Sequence, residues 1–566
     1  MYDKSNVECY NCHKFGHFAS ECRNTNVVEE NTNLLEYKEE VEEPTLLLEF
    51  KEDEKEVIKS SWYLDNGASN HMCGDKSKFL EIDEKVSGFV TFGDSSKIQI
   101  KGKDSEPLFF EQAENDKKWR QTVDEEIIAI EKNDTWELVN LPKDHKAIGV
   151  KWVCKAKKNA KGEVEKYKVR PVAKGHAQKQ GIDYVKVFAP IARLETIRLL
   201  ISFAAHKHWK IYQLDVKYAF LHGFLEEEGY VEQPEGYVIE GQEDKVLKLK
   251  KAFYGLKQAP RAWNNRIDKY FQENGFVRCP HEYALYVKAH EKVKQNDGGI
   301  FISQEGYAKD VLKKFQMLDS NSVNTPMECG VKLSKHDVGE KVDPTLFRSL
   351  VGSLGYLTCT RPDILYAVGV VSRYMEFPTS THMKTAKRIL RYLRGTLDYG
   401  LFYSSSHIIN LVGYCDSDFA GDLDDRKSTT SFVFFMGNNA ISWVSKKQPI
   451  VTLSTCEAKY VAATSCTCHA IWLRRLLKEL QEPQKEPTQI FVDNKFALAL
   501  AKNPVFHDRS NHIDTKYNFI RECIAKKEVE VKFVKSLDQV ADIFTKPLKF
   551  EVFQGLRELL GVRKKN

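Results

Sequence analysis

Tyr414-Cys415-Asp416-Ser417-Asp418 ends an apolar run that begins at Ile409, and this stretch decides how the C-terminal part of the chain folds. It predicts a β-strand that delivers acidic side chains at its end. Ser431 to Met436, rich in aromatic residues, predicts a second strand. A long helix is expected from about Ser454 to Leu480, then a strand at Gln489-Ile490-Phe491-Val492, then helices to the end. Strands and helices sharing one apolar face make 406–566 an α/β domain with its own core. Working back from it, 293–405 is mostly helical. Residues 106–292 are mixed, with a helix from Trp119 to Asn133, strands near 148–155 and 167–174, and a helix near 193–206. Residues 59–105 hold short β-like runs broken by Gly and Asp. Residues 26–58 are an acidic linker, and 1–25 a small Cys/His module.

Composition is that of globular domains, with 42% hydrophobic and 29% charged residues in 566. The net charge of +5 says little, but its distribution is uneven. Residues 29–56 carry 12 acidic and 3 basic side chains, as a solvated linker would. Residues 151–179 carry 10 basic and 2 acidic, which suits a phosphate-facing surface. No run approaches a membrane span, and no apolar core follows Met1-Tyr2-Asp3-Lys4, so neither membrane association nor secretion is expected. The thirteen cysteines do not form a disulfide framework, and an intracellular location, cytoplasmic or nuclear, fits best.

Cys9, Cys12, His17 and Cys22 place four ligands within 14 residues, enough to wrap Zn2+ tetrahedrally. Gly16 permits the turn before His17, and folding of so short a segment should depend on the metal. Tyr10 and Phe18 are placed to stack on unpaired bases, with Lys14 and Arg23 near phosphates. The spacing resembles the CCHC knuckle of retroelement Gag proteins.

Further segments resemble the Gag-Pol polyproteins of Copia-type LTR retrotransposons. Trp62-Tyr63-Leu64-Asp65-Asn66-Gly67-Ala68-Ser69 resembles an aspartic protease loop. Asp65 would be one of two aspartates sharing a proton across a homodimer. Asn66 stands where Ser or Thr is usual and the remaining half is missing, so proteolysis is not expected. No integrase is expected, because no His/Cys module separates this segment from the next.

From Trp119 to Lys288 the chain resembles a Copia reverse transcriptase. Asn133-Asp134-Thr135-Trp136-Glu137-Leu138-Val139, Gln213-Leu214-Asp215-Val216-Lys217 and Tyr254-Gly255-Leu256-Lys257-Gln258-Ala259-Pro260-Arg261 carry the likeness. The resemblance makes Asp215 a metal ligand at the end of an apolar strand. It places Arg170 and Lys174 on the triphosphate and Gln258 near the incoming nucleotide. The Tyr-x-Asp-Asp hairpin expected after Leu285-Tyr286-Val287-Lys288 is missing, since Ala289-His290-Glu291-Lys292 runs straight into Val293-Lys294-Gln295-Asn296. The copy thus reads as internally deleted, without DNA synthesis. Pro171 should also remove a ladder donor.

Tyr307 to Leu401 resembles the Copia connection. Its Lys384, Lys387, Arg388, Arg391 and Arg394 would either track a hybrid's backbone or form a solvated face. The final domain resembles ribonuclease H, ending in the Copia signature Ala541-Asp542-Ile543-Phe544-Thr545-Lys546-Pro547-Leu548. The resemblance makes Asp416, Glu457, Asp493 and Asp514 the carboxylates of a two-Mg2+ site that cleaves RNA in an RNA–DNA hybrid. Asp418, Asp422, Asp424 and Asp425 read as solvated neighbours. Cys466-Thr467-Cys468-His469 lacks further ligands and reads as helix.

The expected fold class is therefore multidomain, α/β and α+β. It comprises a zinc knuckle, a partial β protease remnant, reverse transcriptase fingers and palm lacking part of the palm, a helical connection, and a ribonuclease H-like α/β domain. Expected partners are RNA, single-stranded nucleic acid and RNA–DNA hybrid. Hybrid cleavage is the enzymatic reading, and a non-enzymatic nucleic-acid-binding remnant is its alternative.

Overall fold

The computed structural model describes residues 110–158, 164–288, 299–405, 409–502 and 519–565. It also gives the backbone of β1 (Asp83–Thr91) and β2 (Lys97–Lys103), which pair antiparallel. The knuckle residues Cys9, Tyr10, Cys12, Lys14, His17, Phe18, Cys22 and Arg23, together with Asp65 and Asp514, lie outside the described residues.

The basic, mixed segment begins with α1 (Phe110–Glu114) and α2 (Lys117–Lys132). Asp116 caps α2 by accepting from the Lys118 amide at 2.8 Å, and Trp119, Val123, Ile127 and Ile130 form its buried stripe. There follow β3 (Trp136–Asn140), β4 (Val150–Lys158), β5 (Val164–Ala173), α3 (Leu194–Lys207), β6 (Phe224–Val231), β7 (Lys245–Lys251), α4 (Ala259–Glu273) and the two-residue strands β8 (Val277–Arg278) and β9 (Tyr286–Val287). Strands order β3-β7-β6 in one sheet, and β4 and β5 form a separate basic ribbon. The loop after β7 is locked to the ribbon at Gly255, whose φ is +84° and whose added Cβ would lie 2.2 Å from the Ala173 carbonyl oxygen.

Two expectations for this segment do not hold. Pro171 lies opposite Trp152, yet it breaks no ladder bond. The Lys174 amide donates back to Gly149 at 2.8 Å, whereas the Ala173 amide donates outward to Tyr254 at 2.8 Å. Amide directions alternate along a strand, so position 171 faces outward as 173 does. Asp215, expected at a strand end, sits exposed in a stretch without regular structure. A strand needs a ladder partner, and among the described residues none lies beside it.

The helical segment comprises β10 (Ile300–Ile302), α5 (Glu305–Lys314), α6 (Pro344–Leu357), α7 (Leu365–Ser372), α8 (Ser380–Arg394) and β11 (Tyr399–Tyr403). The basic row on α8 divides. Arg388 donates to Thr325 and Arg391 to the Asn321 carbonyl, and Arg394 holds the Leu318 carbonyl, so the arginines fasten a neighbouring loop. Lys384 and Lys387 stay exposed.

The C-terminal segment contains β12 (Leu411–Ser417), β13 (Thr429–Met436), β14 (Asn439–Lys447), α9 (Thr455–Glu479), β15 (Thr488–Val492), α10 (Lys495–Lys502), α11 (Phe519–Ala525), β16 (Val529–Phe533), α12 (Phe550–Leu559) and β17 (Val562–Lys564). One sheet runs β14-β13-β12-β15-β16, antiparallel through β12 and parallel beyond it, while β17 joins β10 and β11. The strands β16 and β17 were not legible in a tail expected to be helical. Every residue of β13 is buried, as a central strand covered on both faces must be.

This sheet does not keep a core to itself. Leu199 and Phe203 of α3 share one apolar cluster with Leu350, Leu390, Phe434 and Leu473. Arg198 of α3 donates to the carbonyls of Ile441 (3.0 Å) and Cys359 (3.2 Å), and its guanidinium lies 3.8 Å from the Trp443 ring centre. Asn439 donates to Ser202 at 3.1 Å. A helix from the mixed segment thus covers the edge strand β14.

Candidate functional site

The parallel register of β12 and β15 sets Tyr414 beside Phe491, so two residues on Asp416 and Asp493 emerge at the same sheet edge. Both are buried. Between them lies the ammonium of Lys459, in the second turn of α9. It donates to Asp416 Oδ1 at 2.6 Å and to Asp493 Oδ1. Thr545 donates to the other oxygen of Asp416 at 2.7 Å, and Ser536 to that of Asp493 at 3.2 Å.

Glu457, expected here as a metal ligand, is not the residue that α9 sends between the aspartates. Ser454 caps α9 by accepting from the Glu457 amide at 3.1 Å, and Glu457 turns back to accept from the Leu453 amide at 2.7 Å. Residues two apart on a helix point about 200° apart, so Glu457 and Lys459 cannot both face the sheet edge. The expected fourth carboxylate, Asp514, lies outside the described residues. Asp542 presses a buried carboxyl against Asp416 instead. Neither Lys459 nor Asp542 was an expected site residue, although both lie inside the segments that carry the resemblance. The usable signal was helical phase: Lys459, Ala463 and Cys466 share a face at steps of four and three, and that face is turned to the sheet.

Charge at the site follows from these contacts. Burial alone would raise the Asp416 carboxyl, but the Lys459 ammonium and the bonds from Lys459 and Thr545 outweigh it and hold it low. Burial opposes the charge on Lys459, yet Asp416 and Asp493 raise its pKa overall. Burial and the neighbouring Asp416 push Asp542 up to about 7. The four nearby aspartates read as solvated are engaged as well. Asp422 is buried between Arg373 and Lys447, both at 3.1 Å. Asp418 accepts from the Thr429 amide, and burial pushes it up to about 6. Asp424 accepts from the Ser334 hydroxyl at 2.5 Å, and Asp425 pairs with Lys447 at 2.8 Å. His469 contacts the Ser442 hydroxyl at 2.7 Å, and burial lowers it to about 4, so Cys466 to His469 is packed helix.

A two-metal site does not fit these residues. An ammonium takes the space where the carboxylates converge, and one of the expected ligands points elsewhere. Among the described residues no group of three or more His, Cys, Asp or Glu is placed to hold a metal ion.

The candidate polymerase residues make contacts of their own. Arg170 stacks over Tyr254, 4.6 Å from its ring centre. Lys174 is exposed. Gln258 is buried, accepting from Gln178 at 3.0 Å and donating to the Asp183 carbonyl at 3.2 Å, which braces the loop rather than facing a ligand.

Two family models match the chain: a Pol polyprotein beta-barrel domain over residues 62–118, and a reverse transcriptase (RNA-dependent DNA polymerase) over 133–294. The retrovirus-related Pol polyprotein from transposon RE2 of Arabidopsis thaliana is 38% identical over 509 residues, covering 81% of this chain and 35% of that protein. Its counterpart from transposon TNT 1-94 of Nicotiana tabacum is 38% identical over 500 residues, covering 78% and 38%. The chain thus spans a little over a third of these relatives. A foamy viral protease-reverse transcriptase solved with double-stranded DNA aligns at a TM-score of 0.40 and 10% identity, covering 74% of this chain and 70% of that one. An RNase H1 solved with an RNA/DNA hybrid aligns at 0.18 and 12%, covering 24% and 94%. No helix of the described residues is long and apolar enough to cross a membrane. Sequence identity sustained across four-fifths of its length places this chain among the retrovirus-related Pol polyproteins of Copia-type transposons.

Proposed function

We propose that this chain is a Pol fragment that binds nucleic acid without synthesising DNA or cleaving protein. The observation that carries the reading is Asp215, the first carboxylate of the expected polymerase centre, exposed and outside any sheet. A lone carboxylate cannot clamp two metal ions between an attacking oxygen and a leaving pyrophosphate. The matched stretch of 509 residues takes up only 81% of the chain, so the alignment is gapped on this side, as an internal deletion requires. Asn66 and the shortness of 59–105 support the loss of proteolysis, which would otherwise need a homodimer.

Binding rests on two features. The β4–β5 ribbon carries Lys151, Lys155, Lys166 and Lys168 on the face opposite Trp152 and Tyr167, which pack against Phe110 and Trp119, so the basic face offers charge for phosphates. The knuckle, with Zn2+ held by Cys9, Cys12, His17 and Cys22, adds Tyr10 and Phe18 for stacking and Lys14 and Arg23 for phosphates. RNA, single strands and RNA–DNA hybrid are the partners, in an intracellular setting.

A second reading, Mg2+-dependent cleavage of hybrid RNA, is favoured by the convergence of Asp416 and Asp493 and opposed by Lys459 between them. Primer extension on an RNA template tests the first reading. No product is expected, and extension abolished by Asp215→Asn would sink it. Fluorescence anisotropy with a labelled hybrid should show binding that weakens with salt and weakens further in a Lys151→Glu/Lys166→Glu variant.

A further inference from the structure

We infer that Lys459 is the resident cation of the C-terminal site: its ammonium stands in for divalent metal, so the domain holds a hybrid without cutting it. The hybrid-holding part rests on the function proposed above, whereas the exclusion of metal stands on geometry alone. Two buried carboxylates converge at the ends of parallel strands, an arrangement that repels itself unless a cation lies between them. Lys459 supplies that cation covalently, touching one oxygen of each. Thr545 and Ser536 donate to the remaining oxygens, so all four carboxylate oxygens already accept a hydrogen bond.

The placement of the lysine is built in. It rises from the second turn of α9, whose following residues Tyr460, Val461 and Ala463 are buried against the sheet. A divalent ion would have to displace an ammonium whose charge is already matched and mostly shielded from water, at 16% exposure. Reversing the charge at this one position would give the sheet edge three carboxylates, with Asp542 as a fourth beside Asp416. That is a donor set for hard divalent cations.

The test is calorimetric titration of the zinc-loaded full chain with Mn2+. The wild-type chain and Asp493→Asn should titrate alike, showing no ion at this edge. Lys459→Glu should gain at least one site, about tenfold tighter or more than anything in the wild type, and Lys459→Glu/Asp493→Asn should lose it again. Wild-type Mn2+ binding that disappears in Asp493→Asn overturns the inference. So does a folded Lys459→Glu, with an unchanged circular dichroism spectrum, that gains no site. Should Lys459→Glu fail to fold, Lys459→Gln carries the test: Mn2+ should raise its melting temperature and leave the wild type unmoved, and equal responses overturn the inference. Hybrid affinity of the wild type should not rise when Mg2+ is added at matched ionic strength. Loss of hybrid binding with the Mn2+ results intact would sink the proposed function and leave the resident cation standing.

Discussion

Replacing Asp363 with asparagine should destabilise the helical and C-terminal core by about 3–5 kcal/mol, the cost of leaving a buried charge without its partner. Arg361 and Asp363 are 4% and 2% exposed. They meet through two bonds, Nε to Oδ1 at 3.0 Å and Nη2 to Oδ2 at 2.8 Å. The pair is a junction. Arg361 also donates to the carbonyl and hydroxyl of Thr396, Tyr392 donates to Asp363 at 2.6 Å, and Arg557 reaches the Tyr392 hydroxyl at 3.2 Å. Asparagine keeps the shape but strands the Arg361 charge and turns one acceptor into a donor facing a guanidinium. Urea unfolding followed by the fluorescence of Trp443 and Trp472 would read the loss. With an m-value of about 3 kcal/mol/M, the upper end for small proteins, the midpoint should fall by about 1–1.7 M. Arg361→Met/Asp363→Leu should recover most of it, because an apolar pair of similar volume leaves no charge to desolvate. The Asp363 carboxyl is held below its ordinary value: burial would raise it, and Arg361 overcomes burial. Its contribution is therefore present above the unfolded pKa of about 3.9 and lost as pH falls through the folded value. The gap between wild type and Asp363→Asn should stay constant through neutral pH and close only in strong acid. A midpoint shift under about 0.3 M, or a double variant no better than the single one, would refute the reasoning.

Purified chain should contain about one zinc ion, measured by atomic emission, and a value well under half an ion would sink the knuckle reading. Ile182, Val185, Phe188 and Ile191 stand exposed in one stretch, Phe188 at 77%. Ile182→Ser/Phe188→Ser should lower aggregation by light scattering while leaving the melting temperature unchanged, and an unaltered aggregation rate would show that the stretch is not the sticky surface. Asp542→Asn should stabilise the fold at pH 8. The carboxyl favours its neutral form when folded, so its contribution is fully present below about pH 4 and lost as pH rises through about 7, a loss the amide escapes. A variant less stable than wild type at pH 8 would contradict the assigned charge.

Local elements were legible wherever periodicity and ending agreed. The helix expected from Ser454 to Leu480 spans Thr455–Glu479 with Ser454 as its cap, and the strand that ends near Asp416 is β12. The helix expected near 193–206 spans Leu194–Lys207. Family membership was also legible, because linear motifs such as Tyr254 to Arg261 carry it without reference to a fold. What a motif does was less so: Gly255 and Gln258 brace a loop against β5 and residues 178–183.

Sequence alone therefore determined several of the elements and the family, since each depends on neighbours within a few residues. Tertiary structure decided the rest. Asp215 had strand-like neighbours but, among the described residues, no strand to pair with, and a ladder cannot form from one side. The apolar face of α3 could be read, but not that β14 would be its cover. Glu457 and Lys459 stand two residues apart in one motif, and only the rotation of α9 against the sheet decides which reaches Asp416 and Asp493. Convergence depends on register and helical phase between elements distant in the chain, so the site's charge became visible only once they packed.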